Sequence, residues 1–380
     1  MPTNLLLYGD TERSAALRHE IPIAILDPFV YVQVDGRTFI EASSLERDRM
    51  AAARPDAELI DPMELGFHEL LESGMSRDEV RLELVRRAVK RTGVEEAIVD
   101  FEFPLGLAEK LRADGVELTV DDEAIKFRRR KKSDAEMAGI RRAQTAAEAG
   151  MAAAAALLGR AGAVDGKLQV DGRPLNAEDV RAALREACDA HGAPAPPDVI
   201  VASVWQGTGH NPGSGPLPAG LPIQIDLWPR DEASGCWADM TRTFVVGGEP
   251  PDEVRRQEQL VHEVFERVKE AAKPGVTGRE LHALTCDVFE REGYRTQRTG
   301  PGDDPAEGFQ FSLGHGVGLQ VHEDPSLGQA GHAPLVRGDV LAIEPGLWDR
   351  EVGGVRFEDL LLVTDDGCET LTVYSYDLTP

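Results

Sequence analysis

The amino-acid sequence predicts an α/β protein that is built from two domains. Its 380 residues are more than one small hydrophobic core organises. Short apolar segments alternate with amphipathic helical segments along the chain. Between residues 126 and 160, a basic cluster passes into an alanine-rich helix, and this change of composition predicts a domain boundary. The predicted domains are therefore residues 1–128 and 129–380.

The composition narrows the class of protein. The sequence is 42% hydrophobic, and 67 acidic against 41 basic residues give a formal charge of −26, which opposes binding to nucleic acid or anionic membranes. No apolar segment reaches the ~18 residues of a membrane span, and the N-terminus has no signal-peptide pattern. The four cysteines are scattered without a CxxC pair, which predicts free thiols. We expect a cytoplasmic protein that binds neither nucleic acid nor membrane.

The first domain begins with a predicted hairpin. The segments AILDPFVYVQV and RTFIEA predict two strands around the turn Asp35-Gly36. LERDRMAAA predicts a helix, AELID a strand, and MSRDEVRLELVRRAVKRTG a helix that ends at Gly93. EEAIVDF, LAEKLRADG and VELTV then predict a strand, a helix and a strand. This alternation is typical of an α/β domain.

The second domain is predicted to begin with a long helix. Ser133 and Glu136 form the capping-box pattern S-x-x-E at its start. The basic cluster before it, Lys126 and Arg128 to Lys132, is interpreted as a solvated, salt-bridged linker, because a nucleic-acid patch fits poorly with the acidic chain. Later segments predict a helix (AEDVRAALREACDAHG), three strands (VIVASV, IQIDLW and CWADMTRTFVVG), two helices (about 252–272 and 277–293) and two final strands (VLAIEPGLW and VRFEDLLLV).

Two of these strand pairs carry carboxylates on apolar strands. If IQIDLW and CWADMTRTF form a hairpin centred near Glu232 and Ala233, Asp226 lies opposite Asp239. A hairpin centred near Glu351 likewise sets Glu344 opposite Glu358. For the first hairpin considered by itself, an alternative is a different strand register in which both aspartates point to water. Two such hairpins predict buried carboxylates that need cations, and oxygen donors with a nearby nitrogen suit divalent ions.

The segment SLGHGVGLQVHEDP adds His315 and His322 among glycines. A phosphate-binding loop is disfavoured, because Pro325 opposes an immediate helix and no lysine occurs from residue 274 onward. The HExxH zinc motif is also absent. A structural role is common for a single loop histidine, but two histidines beside a four-carboxylate site favour metal ligation and substrate contact.

The segments IDLW, WADMTRTF, GHGVGLQVHEDP, IEPGLW and GGVRFED, in this order, resemble the signature of the pita-bread metallopeptidases. That family includes methionine aminopeptidase, aminopeptidase P, prolidase and the metal-free creatinase. The resemblance covers roughly residues 133–380, and the first domain resembles the N-terminal domain of the aminopeptidase P and prolidase branch. It implies a smaller creatinase-type α/β domain followed by a pita-bread catalytic domain with a curved antiparallel sheet.

The resemblance also implies a site for two divalent ions, with manganese preferred over cobalt or zinc. Asp239 and Glu358 would bridge the ions, Asp226 would bind one of them, and His315 and Glu344 would bind the other. A hydroxide between the ions would attack the scissile carbonyl, with Glu344 as the proton shuttle.

Three further residues are assigned by the same resemblance. His322 would stabilise the oxyanion or position the substrate, and His210 would be the other histidine on the substrate side. Arg356 lies two residues before Glu358, hence on the same strand face, and would orient that ligand or its neighbours.

The implied activity is hydrolysis of the Xaa-Pro bond at the N-terminus of peptides, as in aminopeptidase P, and the alternative is prolidase, which is restricted to Xaa-Pro dipeptides. Prolidases commonly carry an arginine where this chain has Ser326, which weighs against the dipeptidase, although Arg337 or His332 could substitute. A creatinase-like amidinohydrolase and a non-catalytic binding module are remote alternatives, since such proteins lose ligands that this chain keeps. The resemblance further implies a homodimer.

Overall fold

The computed structural model describes residues 4–207 and 209–380. The chain divides into two compact units, Met1–Arg129 and Arg130–Pro380. In the described ranges, no helix is long and apolar enough to cross a membrane.

The first unit is built on a six-stranded mixed sheet. Its elements are β1 (Leu5–Gly9), α1 (Ala15–Glu20), β2 (Phe29–Val34), β3 (Arg37–Glu41), α2 (Arg47–Ala53), β4 (Glu58–Ile60), α3 (Phe67–Glu72), α4 (Arg77–Thr92), β5 (Glu96–Val99), α5 (Leu105–Ala113), β6 (Glu117–Val120) and the start of α6 (Asp122–Arg130). The strand order is β4-β3-β2-β1-β5-β6. The predicted turn joins β2 to β3, with Asp35 at φ 50° and Gly36 at φ 77°, as a two-residue hairpin turn requires.

The sheet of the first unit is buried on both faces. Leu6 packs in one apolar cluster, whereas Leu5 and Leu7 pack in another, because alternate residues of a strand point to opposite faces. Helix α4 ends where predicted, with Gly93 at φ 74° as its C-cap.

In its described residues, the second unit combines four helices with several small sheets. Its elements are α7 (Asp134–Gly159), β7 (Gly162–Val164), β8 (Lys167–Val170), β9 (Arg173–Pro174), α8 (Ala177–Ala190), β10 (Ile200–Ala202), β11 (Pro222–Leu227), β12 (Met240–Val245), α9 (Asp252–Ala271), α10 (Gly278–Arg291), β13 (Gly314–Gly316), β14 (Val340–Ile343), β15 (Gly346–Asp349), β16 (Gly353–Arg356), β17 (Asp359–Val363) and β18 (Cys368–Thr370). The small strands β7, β8 and β9 were not predicted from the sequence.

Helix capping follows the sequence. The capping box of Ser133 and Glu136 starts α7, as predicted, and an equivalent box of Thr277 and Glu280 starts α10. Apolar residues of α9 and α10 pack with those of β14 to β17 in one core cluster. This core supports the strands that carry the acidic side chains.

Three antiparallel sheets shape the region around those side chains. Their strand orders are β10-β11-β12, β13-β14-β17-β18 and β15-β16. The two final strands predicted from the sequence are each divided in two, so that one hairpin enters two sheets. The division falls beside Glu344 and Glu358, which belong to neither sheet.

The basic cluster was predicted to be a solvated, salt-bridged linker. Its salt bridges form, but the prediction that it is solvated was wrong for Arg129, Arg130 and Lys132. Arg128 to Arg130 complete helix α6, and Arg129 and Arg130 are only 5% and 4% exposed. Arg130 forms a buried ion pair with Asp339, and Lys132 forms one with Glu323. These basic side chains pair with carboxylates that are distant in the sequence, so the local sequence does not predict the pairing.

Candidate metal centre

The first carboxylate hairpin forms, but its register differs from the predicted one by two residues. Asp226 pairs with Thr241 and Leu227 with Met240, so Asp226 is not directly opposite Asp239. The hairpin is closed by an extra bridge between Arg230 and Trp237. Its turn is held by the Asp231 carboxylate, which accepts hydrogen bonds from the backbone N–H and the hydroxyl of Ser234.

A shift of two residues keeps every side chain on its face of the strand. Asp226 and Asp239 therefore still share a face, now as diagonal neighbours. Oxygen atoms of Asp226, Asp239 and Glu358 all lie within 4.8 Å of one another. The sequence pattern thus identified the face correctly although it misplaced the partner.

The second hairpin has the predicted register, with an interruption. Ile343 pairs with Asp359 and Gly346 with Arg356, and both ladders extrapolate to Glu344 opposite Glu358. The ladder is broken at this point, and Glu358 bonds to β12 instead. Its backbone N–H donates to the carbonyl oxygen of Thr241 (3.1 Å), and the Thr241 hydroxyl donates to its carboxylate (2.7 Å).

His315 reaches the carboxylates from the edge strand β13. Its Nε2 atom lies 3.6 Å from Asp239 Oδ2 and 3.8 Å from Glu344 Oε1. Its Nδ1 atom lies 3.1 Å from the carbonyl oxygen of Gly316, a contact that leaves Nε2 available as a ligand when Nδ1 carries the proton. A Cβ atom at Gly314 would lie 1.9 Å from the carbonyl oxygen of Ala342, so the pairing of β13 with β14 needs glycine there.

All five predicted metal ligands therefore converge. Combinations of three of them, His315 with Glu344 and Glu358, and Asp226 with Asp239 and Glu358, each offer ligand atoms within 4.8 Å. A third combination joins Asp239, His315 and His322. His322, predicted to contact substrate, thus also lies within reach of a cation.

The electrostatics of the site leave negative charge uncompensated. Burial, followed by the charge of neighbouring carboxylates, raises the pKa of Asp239 and of Glu358 well above the usual range. Burial raises the pKa of Glu344 to about 7, against the opposing influence of Arg356. Among the described residues, Asp226 Oδ1 and Asp239 Oδ1 are buried without a hydrogen-bond partner.

These observations fit divalent cations. Burial lowers the pKa of His315 to about 4, so its imidazole is neutral at physiological pH and is a donor to metals rather than a counter-charge. Buried carboxylate oxygens that lack partners, with one imidazole nitrogen among them, are a donor set for divalent metal ions. The residues present therefore suit the metals that the sequence implied.

Arg356 is the cationic side chain that contacts these carboxylates in the described part of the chain. Its guanidinium donates to Asp226 and lies 3.5 Å from Glu344 Oε2. Burial opposes its charged form, but the surrounding carboxylates, Asp226 foremost, raise its pKa. Its direct contacts are with neighbours of Glu358 rather than with Glu358 itself.

Two further residues complete this contact network and were missed from the sequence. Thr241 accepts a hydrogen bond from Arg356 (3.2 Å), and the side-chain oxygen of Gln224, with its amide suitably turned, accepts two (3.0 and 3.1 Å). Thr241 lies two residues after Asp239, and Gln224 lies two before Asp226. The period of two that placed the aspartates on one face could have identified both.

The other predicted residues lie at the margin of the carboxylate cluster. The rings of His322 and His315 are perpendicular, with centroids 4.3 Å apart. Burial and then the charge of His210 lower the pKa of His322. His210 itself is exposed.

The predicted substitutes for the missing prolidase arginine differ in their surroundings. Arg337 is paired with Asp365 at 3.1 Å, and both side chains are mostly exposed. His332 and Ser326 are also exposed. Among the described residues, Arg337 is therefore paired with Asp365 and not with a carboxylate of the candidate metal centre.

Together, a mixed α/β fold and a cluster of carboxylates and imidazoles define a protein with a candidate site for divalent metal ions. The match to the family described as Metallopeptidase family M24 covers residues 138–365, more than half of the chain. The chain belongs to this family.

Curated relatives and solved structures agree with this membership. The chain is 40% identical over 135 residues to an Xaa-Pro dipeptidase of Pyrococcus furiosus, and 38% identical over 144 residues to an Xaa-Pro dipeptidase of Lactobacillus helveticus. These alignments cover 36% and 38% of this chain, and 35% and 36% of the relatives, so the chain matches about a third of the length of each.

The structural likeness extends over both units. A prolidase from Pyrococcus horikoshii OT3 matches with a TM-score of 0.74 and 23% identity, over 99% of this chain and 95% of its own. An X-Pro aminopeptidase from Thermotoga maritima matches with a TM-score of 0.76 and 21% identity, over 98% of this chain and 96% of its own. At such identities the likeness shows the fold alone, and it confirms the predicted pita-bread fold class.

Proposed function

We propose that the protein is a metal-dependent exopeptidase that hydrolyses the bond between an N-terminal residue and a following proline. The observation that carries this proposal is the convergence of Asp226, Asp239, His315, Glu344 and Glu358 in one buried cluster within a metallopeptidase fold. Retention of all five ligand types argues against the metal-free amidinohydrolase and the non-catalytic module.

We assign the metal-holding roles as the resemblance implied. Asp239 and Glu358 would be shared by two ions, Asp226 would complete one ligand set, and His315 with Glu344 would complete the other. Bound divalent ions at such a pair of sites polarise a carbonyl oxygen and make water acidic enough to act as a nucleophile near neutral pH. The abundance of oxygen donors supports manganese, with cobalt or zinc as alternatives.

The chain's own groups supply positioning and proton transfer. As the resemblance implied, Glu344 would hold a proton on its carboxylate and release it to the leaving amine. Arg356 fixes the carboxylates of Asp226 and Glu344 in one orientation. His322, perpendicular to His315, and His210 would contact the peptide on the open side of the cluster.

Within this activity we favour the dipeptidase over the aminopeptidase P reading that was preferred from the sequence. Support comes from the curated relatives, several of which are named Xaa-Pro dipeptidase. The absence of the usual prolidase arginine at Ser326 weighs less than the resemblance to these relatives. A dipeptidase needs some group for the free carboxylate of its substrate, and Ser326 with its neighbours is the place to look for one.

The activity is tested on protein that has been stripped of metal and then loaded with Mn²⁺. We expect turnover of Xaa-Pro dipeptides and much slower turnover of Xaa-Pro-Yaa tripeptides. Equal or faster turnover of the tripeptides would return the assignment to aminopeptidase P. Absence of turnover with Mn²⁺, Co²⁺ and Zn²⁺ on both substrates would refute the peptidase proposal.

The site is tested with a matched pair of variants in one loop. Asp239→Asn removes a buried charge from the cluster, and it should abolish both metal retention and turnover. Glu232→Gln removes an exposed charge seven positions earlier, and both properties should persist. Normal turnover in Asp239→Asn would show that the ligand assignment is wrong.

The oligomeric state, the domain bounds and the cellular location are proposed on the same basis. We propose a homodimer with a proline-containing peptide as substrate, and domains at residues 1–128 and 129–380. A cytoplasmic location is supported by free thiols at Cys188, Cys236, Cys286 and Cys368. Light scattering coupled to size-exclusion chromatography would measure the mass of the assembly and test the dimer.

A further inference from the structure

We propose that the buried ion pair of Lys132 and Glu323 is a positioning device that holds both His315 and His322 in place. The roles of the two histidines in catalysis rest on the proposed function. The effect of the ion pair on the loop 316–323 does not. Lys132 belongs to the basic cluster, which the proposed function leaves unexplained.

The loop 316–323 is closed at its base by backbone hydrogen bonds. The N–H of Gly316 donates to the carbonyl of Glu323, and the N–H of Glu323 donates to the carbonyl of Gly316, both at 2.9 Å. Farther along the loop, the N–H of Trp237 donates to the carbonyl of Gly318 at 2.8 Å. The loop is therefore a short hairpin that links the residue after His315 to the residue after His322.

The ion pair lies directly beneath this hairpin. The Lys132 ammonium contacts the Glu323 carboxylate, and both side chains are only 2% exposed. A Cβ atom at Gly318 would lie 2.6 Å from Glu323 Oε1 and 3.0 Å from Lys132 Cε, so the loop backbone packs on both partners. Removal of either charge would break this buried ion pair, and its loss favours opening of the loop.

The far side of the pair is anchored to a long helix. Lys132 precedes Ser133, the N-cap of α7, whose capping box fixes the start of that helix. The helix is tied to the loop of the first carboxylate hairpin by Arg142, which pairs with Asp231. The position of the ammonium group is thus set by elements outside the loop 316–323.

Both histidines depend on the backbone of this loop. The carbonyl of Gly316 contacts Nδ1 of His315, and this contact leaves Nε2 directed toward Asp239 and Glu344. His322 is bonded to Glu323 in the chain, and its ring packs at right angles on that of His315. One buried ion pair therefore constrains a candidate metal ligand and a candidate substrate contact together.

The chain offers a matched control in the same segment. Arg130, two residues before Lys132, forms a buried ion pair with Asp339, with side chains 5% and 0% exposed. That pair lies at the start of β14, one residue from Val340, whose carbonyl oxygen accepts a hydrogen bond from the N–H of the loop residue Val317. Loss of its charge tests what general destabilisation does to the loop.

The experiment compares Lys132→Met, Glu323→Gln and Arg130→Met in the full-length, metal-free protein. Hydrogen exchange measured by mass spectrometry reports on a peptide that contains the Gly316 and Glu323 amides. We expect exchange about tenfold faster or more in the Lys132 and Glu323 variants, and within about twofold of wild type in Arg130→Met. The amide of Leu313, bonded to the carbonyl of Leu327 outside the loop, is the internal reference.

Mn²⁺ affinity, measured by chelator competition, is the second readout. We expect binding about 10–100-fold weaker in Lys132→Met and Glu323→Gln, as for other residues that orient metal ligands, with little change in Arg130→Met. Glu323→Gln keeps the size of the side chain and an oxygen for the lysine, so it can be assayed if Lys132→Met fails to fold. Lys132→Arg, which retains the charge, should recover most of the affinity.

The outcomes separate this inference from the proposed function. Folded Lys132→Met or Glu323→Gln protein with wild-type loop exchange and metal affinity would overturn it, as would equal acceleration in Arg130→Met. A wild-type protein that lacks Xaa-Pro peptidase activity, but whose loop and metal affinity respond as described, would refute the proposed function alone.

Discussion

Glu358 and Asp359 are adjacent in the chain and both are buried, yet they lie in opposite electrostatic surroundings. Glu358 faces the cluster of Asp226, Asp239 and Glu344, where burial and then the charge of neighbouring acids raise its pKa. Asp359 points to the other side of the strand and meets the guanidinium of Arg242 at 2.8 Å, with both side chains 1% exposed. The two clusters are built from the same two segments, since Thr241 and Arg242 are also adjacent.

The second cluster is satisfied by its own residues. Arg242 donates to the carbonyl oxygens of Thr241, Glu358 and Ser375 at 2.7–2.9 Å, and Tyr376 donates its hydroxyl to Asp359. Within residues 4–207 and 209–380, one carboxylate oxygen of Asp226 and one of Asp239 in the first cluster have no hydrogen-bond partner. Burial alone therefore does not distinguish a functional acid from a structural one. The distinction is whether the protein supplies the counter-charge.

The largest difference should appear in the free energy of unfolding without metal. Arg242→Met leaves Asp359 buried without its cation, and should lower the free energy of unfolding by about 3–5 kcal/mol. Glu358→Gln removes one of several repelling acids while it keeps an oxygen for Thr241, and should leave that free energy unchanged or raise it. Urea denaturation measures both, and equal losses would contradict the contrast between the clusters.

Added metal should make the first cluster contribute to the stability of the folded protein. Mn²⁺ at a hundred times its dissociation constant should stabilise the wild-type protein by about 2.7 kcal/mol, because it binds the folded state. Glu358→Gln should lose most of this gain, whereas Tyr376→Phe should keep it. Thermal melting across a Mn²⁺ titration is the measurement, and an equal gain in both variants would place the metal elsewhere.

The free energy of unfolding of the metal-free protein should depend on pH through the first cluster. The pKa of Glu344 is raised to about 7 in the folded state, so the folded protein holds a proton that the unfolded chain releases. Stability from this group is present at pH 5 and is lost as the pH rises through 7, by roughly 2 kcal/mol. Urea denaturation between pH 5 and 8 should show this loss, and Glu344→Gln should reduce it. A loss of the same size in the variant would assign the effect to other groups.

The smallest expected effect concerns one hydroxyl of the second cluster. Tyr376→Phe removes a donor to Asp359, while the Arg242 pair remains, and should cost about 1 kcal/mol of the free energy of unfolding. Tyr374→Phe is the control, since in the described residues its hydroxyl makes no hydrogen bond. Comparable losses in the two variants would show that ring packing, rather than the Asp359 bond, is responsible.

The carboxylate hairpins show how far the sequence pattern reaches. Alternation along apolar strands placed Asp226 and Asp239 on one face, and the structure agrees, because side-chain direction depends only on the local backbone. The pairing partner of Asp226 was wrong by two residues, since the register depends on how the turn at Asp231 and Ser234 closes. For Glu344 and Glu358 the register was right, but the break in the ladder was not foreseen.

The basic cluster shows what the pattern does not reach. Charged residues in a row predict a solvated segment, and the structure buries Arg130 and Lys132 against Asp339 and Glu323 instead. These partners lie about two hundred positions away in the chain, and no local periodicity connects them. Gln224 and Thr241 were not predicted, but the period of two along each strand could have placed them beside the carboxylates.

The sequence by itself determined the α/β class, the helix caps and the kinds of ligand atom on each strand. These follow from local backbone preferences and from the chemistry of the side chains. Tertiary structure alone decided which acid meets Thr241, which meets Arg242, and which lysine supports the loop of the two histidines. Such contacts form between distant segments, and their geometry is set by packing and by the balance of buried charge.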